Sequence, residues 1–109
     1  MTREIPERDW KTLRRLNRVL LDRFCQSVLD EAVRIGKESP QTSHERYLNL
    51  YRYLKEQNRV LGDAFDDHRR STALFKLANI YSLGLFTEEE FAEFSEDTRE
   101  VILSITSRY

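Results

Sequence analysis

The sequence predicts an all-α protein, a helical bundle of five to six helices built on a long antiparallel helical hairpin. Three observations lead there. With 3 glycines and 2 prolines in 109 residues, the chain has little of the punctuation that a fold of strands and turns requires. Hydrophobic residues at 39% and charged residues at 34% are the balance of amphipathic helices with solvated outer faces. Finally, Tyr47, Tyr51, Leu54, Asn58, Leu61, Phe65 and His68 recur at alternating steps of four and three, which puts them on one stripe of a single helix. At 1.5 Å per residue a helix over 42–70 is roughly 40 Å long, a spine for a chain whose length suits one domain, 1–109.

In chain order, Pro6 opens a basic N-terminal helix, 6–16, and Glu7 and Asp9 in its first turn complement the positive end of the helix dipole. Trp10, Leu13 and Leu16 form its apolar face. Asn17 is read as a break and cap, although a continuous helix from Glu7 is also allowed. The first arm of the hairpin, 18–36, carries Leu20, Leu21, Phe24, Val28, Ala32 and Ile35 and stops at Gly36, with Pro40 just beyond. The second arm, 42–70, starts with Thr42-Ser43-His44-Glu45, a capping box, and is read as ending near Ser71 or Thr72, although neither Gly nor Pro enforces a break there and a helix running on to Leu83 is also allowed. The remainder, 72–109, is a buried helix plus an acidic helical cap. Ala73 to Leu83 is apolar nearly all round, Gly84 ends it, Thr87 to Glu90 is a second capping box, and Ser95 caps the last helix.

The words ERDWKTLRRLNRVLLDRFCQSVLDE at Glu7 to Glu31, FDDHRRS at Phe65 to Ser71 and LGLFTEEEFAEFSEDTRE at Leu83 to Glu100 resemble those of a group of small, uncharacterised helical bacterial proteins. The resemblance covers most of the chain. It implies a helical protein and transfers no functional residue.

A net charge of −1 conceals an uneven distribution. Met1 to Arg23 holds seven basic residues against four acidic, and Leu85 to Tyr109 two basic against seven acidic. The two ends can attract each other, within a chain or between chains, or can be two solvated faces of opposite sign.

No catalytic, cofactor or metal site is expected. His44 lies beside Glu45 and His68 beside Asp66 and Asp67, but ligands on a helix must be three or four residues apart to share a face. Cys25, next to Phe24 and near Val28 and Leu29, reads as a buried, inert thiol, and Glu88, Glu89 and Glu90 are accounted for by their place in a first helical turn. A single cysteine, a polar N-terminal run and no apolar stretch long enough to span a bilayer give the expectation of a cytoplasmic protein.

The expected role is therefore a non-catalytic protein–protein interaction or regulatory module. Tyr47, Leu48, Leu50, Tyr51, Tyr53 and Leu54 cover about 220° of the helix, roughly twice what one neighbouring helix needs. Either the C-terminal helices cover the excess or it forms an interface, with Tyr47, Leu50, Tyr51, Tyr53 and Leu54 pairing two copies as a homodimer. The alternative is a small regulatory protein that contacts nucleic acid through Lys11, Arg14, Arg15 and Arg18, with Trp10 as a stacking surface.

Overall fold

The computed structural model describes residues 4–38, 40–66 and 69–107. They form five helices and, among the described residues, no strand: α1 (Glu7–Lys37), α2 (Ser43–Phe65), α3 (Ala73–Ser82), α4 (Glu88–Ala92) and α5 (Glu96–Thr106). The all-α expectation holds.

The expected break at Asn17 does not occur, and 6–16 and 18–36 are parts of one 31-residue helix. Leu13, Leu16, Leu20 and Phe24 are all buried along it. That continuous apolar stripe outweighs the few tenths of a kcal/mol by which Asn disfavours a helix interior. The second arm is shorter than 42–70, because α2 ends at Phe65 and Asp66 is already extended, at φ −84° and ψ 157°. Phe65 turns into the core, 5.9 Å from the ring of Phe24, which fixes where the chain must leave the helix. His68 and Asp67 lie outside the described residues. Thr42 Oγ1 accepts the Glu45 amide at the start of α2.

The two long helices run antiparallel. Arg46 donates to the Gly36 carbonyl at 2.7 Å, Tyr53 lies by Glu31, and Phe65 meets Phe24, so the pairing moves down α1 as it moves up α2. One side of their base carries the other three helices. Lys76 Nζ and Asn79 Nδ2 donate to the Asp63 carbonyl, and Asp9 of α1 reaches Ser95 and Thr98. Ile5, Leu13, Leu16, Leu20, Phe24, Ala64, Phe65, Leu74, Leu77, Ile80, Leu85, Phe94 and Ile102 make one core at that end. The ends of α1 and α2 farthest from it project as a two-helix arm, and the molecule measures 51 × 29 × 24 Å.

The segment expected to be buried, α3, is buried along one side. Ala73, Leu74, Leu77, Ala78 and Ile80 are buried, but Phe75, on the other side of the helix, is 62% exposed. Gly84 adopts φ +72°, the left-handed turn predicted after this helix. Both predicted downstream caps form, with reciprocal Thr87–Glu90 bonds at α4 and Ser95 Oγ accepting the Thr98 amide at α5.

Candidate interaction surface

At about 100° per residue, Trp10, Asn17 and Phe24, which lie by Phe65 of α2, share one face of α1 with Leu21, Val28 and Ile35, each at least half-buried, and this face defines a seam. Rotated about 90° from it lies a second row: Lys11, Arg14, Arg18, Asp22, Cys25, Leu29, Val33 and Gly36, all exposed except half-buried Cys25. On α2 the seam is Arg46, Asn49, Tyr53, Gln57, Val60 and Ala64, each at least half-buried. Tyr47, Tyr51, Leu54 and Asn58 are rotated from it by about 100° in the same sense, and all are exposed. In an antiparallel pair, equal rotation from the seam brings both rows to the same side. The α3–α5 body occupies the opposite side, since Asp9, Leu16 and Leu20 of α1 and Asp63 of α2 are rotated the other way.

One side of the arm is thus bare and apolar. Leu29 is 59% exposed, Val33 55%, Tyr47 66%, Tyr51 58% and Leu54 38%. Between Cys25 and Gly36, and between Ser43 and Leu54, this side carries no charged residue. The reverse side is charged, with Glu31–Arg34–Glu38 on α1 and Glu56–Arg59–Asp63 on α2 as ion-paired rows. Those pairs lower the carboxyls of Glu31 and Glu56 and raise Arg34 and Arg59, through hydrogen bonds first and charge attraction second. At roughly 150–200 Å² per large side chain, the five exposed fractions amount to roughly 500 Å², at the upper end of what a soluble monomer displays in one patch.

Of the residues expected to form an interface, Tyr47, Tyr51 and Leu54 are on this side and Leu50 is at its inner edge, half-buried. Tyr53 is instead a seam residue, where burial, with the Glu31 carboxylate nearby, pushes its phenol up. Leu29 and Val33, with an i, i+4 spacing on α1, were not anticipated as part of the surface although that spacing marks a second apolar row.

The basic residues separate in the same way. Arg15 pairs with Glu93, and Arg8 donates to the Glu93 carbonyl. Lys11, Arg14 and Arg18 stay exposed in a row, Arg14 beside a groove of about 260 Å³ that it shares with Trp10, Asn17 and Phe65. The opposite charges of the two ends therefore meet within one chain. Their strongest contact is Arg23 to Glu90, two parallel bonds of 2.5 and 2.8 Å, with a third from Arg23 to the Leu85 carbonyl at 2.8 Å. Arg23, then the Thr87 amide, pull the Glu90 carboxyl down to about 2 against the opposing effect of burial, and Glu90 in turn raises Arg23.

Cys25 is half-buried rather than buried, and borders a groove with Arg18, Leu21 and Asp22. His44 is exposed in the first turn of α2. Among the described residues no group of three or more His, Cys, Asp or Glu side chains is placed to hold a metal ion, and no helix is long and apolar enough to cross a membrane. No protein-family model matches the sequence, and comparison with curated proteins and with solved structures finds no match.

Proposed function

We propose that this chain is a non-catalytic interaction module that pairs with a second copy of itself through the apolar side of the α1–α2 arm. The observation that carries the reading is the uncharged patch of Leu29, Val33, Tyr47, Tyr51 and Leu54, exposed while the reverse side of the same two helices is lined with ion pairs. Exposing apolar surface in one block costs solubility, and burial against a partner recovers it. A face without charge has nothing to repel its own copy and no charge pattern to select a different protein. Two such patches face to face bury roughly 1,000 Å², the lower limit for a specific interface. The proposed compartment is a reducing cytoplasm, which suits a single cysteine. A bacterial source is proposed with it, on the resemblance of the three words at Glu7 to Glu31, Phe65 to Ser71 and Leu83 to Glu100.

Analytical ultracentrifugation over a wide concentration range tests the reading. The parent chain sediments as a concentration-dependent dimer, and Tyr51→Glu, which places a carboxylate from each copy in the contact, raises Kd by at least ~100-fold. A parent that stays monomeric at every concentration, or a dimer indifferent to Tyr51→Glu, removes it.

A second reading rests on Lys11, Arg14 and Arg18, exposed in one row with Trp10 in the adjoining groove: contact with nucleic acid. It predicts retention on heparin at low salt that Lys11→Ala, Arg14→Ala and Arg18→Ala abolish together. A chain that passes through unretained rules it out.

A further inference from the structure

Resting on the self-pairing reading, we infer that the two copies associate with their arms antiparallel and their cores at opposite ends of an elongated dimer. The direction is set by what shares the bare side with the patch. Along α1 the row of Leu29, Val33 and Gly36 continues toward the core as Asp22, Arg18, Arg14 and Lys11, on the same side of the helix and equally uncovered. A two-fold axis along the arm would lay the molecules side by side, core next to core. That arrangement opposes Lys11, Arg14 and Arg18 to their own copies, three cations against three with one Asp22 on each side to offset them. Glu7, one turn before Lys11 on the same row, is already paired with Arg70, and Glu93 with Arg15, so neither carboxylate supplies compensation.

A two-fold axis perpendicular to the arm avoids this. With the axis near Val33 and Tyr51, only the neutral parts of the two arms overlap. Each basic row then lies about 22 to 33 Å from the axis, past the tip of the other arm and in water. Gly36, around which a Cβ would have no neighbour within 4 Å, leaves room for the opposing helix near the tip. The association is isologous, so each copy contributes the same residues and the contact closes on itself. Two bodies 51 Å long that share about 20 Å of arm give a particle about 80 Å long, against a little over 50 Å for the side-by-side arrangement.

Small-angle scattering of the full chain, combined with cysteine cross-linking in a Cys25→Ser background, separates the outcomes. The expected result is a dimer with a maximum dimension near 80 Å, in which Tyr51→Cys forms a symmetric disulfide under mild oxidation and Arg14→Cys does not. A dimer little longer than one copy that cross-links through Arg14→Cys overturns the antiparallel arrangement and leaves self-pairing intact. A dimer in which neither position cross-links places the contact elsewhere and overturns both. A monomer at all concentrations, by sedimentation of the Cys25→Ser parent, removes the self-pairing reading and this inference with it.

Discussion

Asp9 provides the sharpest test of how the three C-terminal helices are held on α1. It is 0% exposed, and its carboxylate accepts three hydrogen bonds, from the Ser95 amide at 2.8 Å, the Ser95 hydroxyl at 2.6 Å and the Thr98 hydroxyl at 2.6 Å. Bonds to a charged acceptor contribute about 1.5–3 kcal/mol each, and burying the carboxylate costs several kcal/mol in return. Removing it in Asp9→Ala also strands a backbone donor and two hydroxyls, so the net loss is about 3 kcal/mol. For a domain of this size that lowers Tm by about 12–20 °C, and lowers the urea midpoint by about 1.5 M for a slope near 2 kcal/mol/M. Asp9→Asn keeps one acceptor oxygen and loses about half as much. The assay is equilibrium urea unfolding followed by circular dichroism, with Thr98→Val as the second corner of a double-mutant cycle and a coupling of about 1–2 kcal/mol expected. Melting of Asp9→Ala within about 3 °C of the parent, or no coupling to Thr98, would refute the claim that this cluster fixes the C-terminal helices.

The Arg23–Glu90 contact gives stability a pH signature. The folded carboxyl titrates at about 2, below the ordinary Glu value near 4.3, so its contribution is fully present above about pH 4.5 and is lost as pH falls toward 2. Glu90→Gln costs about 1–2 kcal/mol at pH 7 and flattens the urea midpoint against pH across that window. The glycines separate by conformation: Gly84→Ala forces a Cβ into φ +72° and lowers stability by about 1 kcal/mol although the space around it is open. Gly36→Ala, in a helix with equally open surroundings, raises thermal stability by about 0.5 kcal/mol.

Local chemistry in this chain could be read directly from the sequence. Thr87 with Glu90, Ser95 with Thr98, and Gly84 after an apolar run are arrangements whose partners lie within three or four residues, and the chain folds as those patterns dictate. Asn17 and Phe65 went the other way because tertiary burial decided them: a continuous stripe carried α1 through Asn17, and the docking of Phe65 on Phe24 ended α2 early. Nothing local to Asp9 announces Ser95, 86 residues away. The heptad-like row of Tyr47, Tyr51, Leu54 and Asn58 is real but faces water, whereas Arg46, Asn49, Tyr53 and Gln57 line the seam with α1. Periodicity identifies a face, and which neighbour covers it depends on contacts between distant segments.

The concentration of buried side chains at one end also sets a gradient of local stability. Beyond Phe24 on α1, Ile35 is the one buried apolar residue of the arm among the described residues, so its turns are held mainly by a single half-buried seam and by backbone bonds. Amides in the outer turns of α1 and α2 therefore exchange with solvent through partial opening, at free energies well below that of global unfolding, while those of Leu13, Leu20, Leu77 and Ile102 exchange near the global limit. Any binder that settles on the arm must first quiet this fraying. Its arrival is then legible as slowed exchange at the tip and as an ordering entropy that weakens affinity for the area covered.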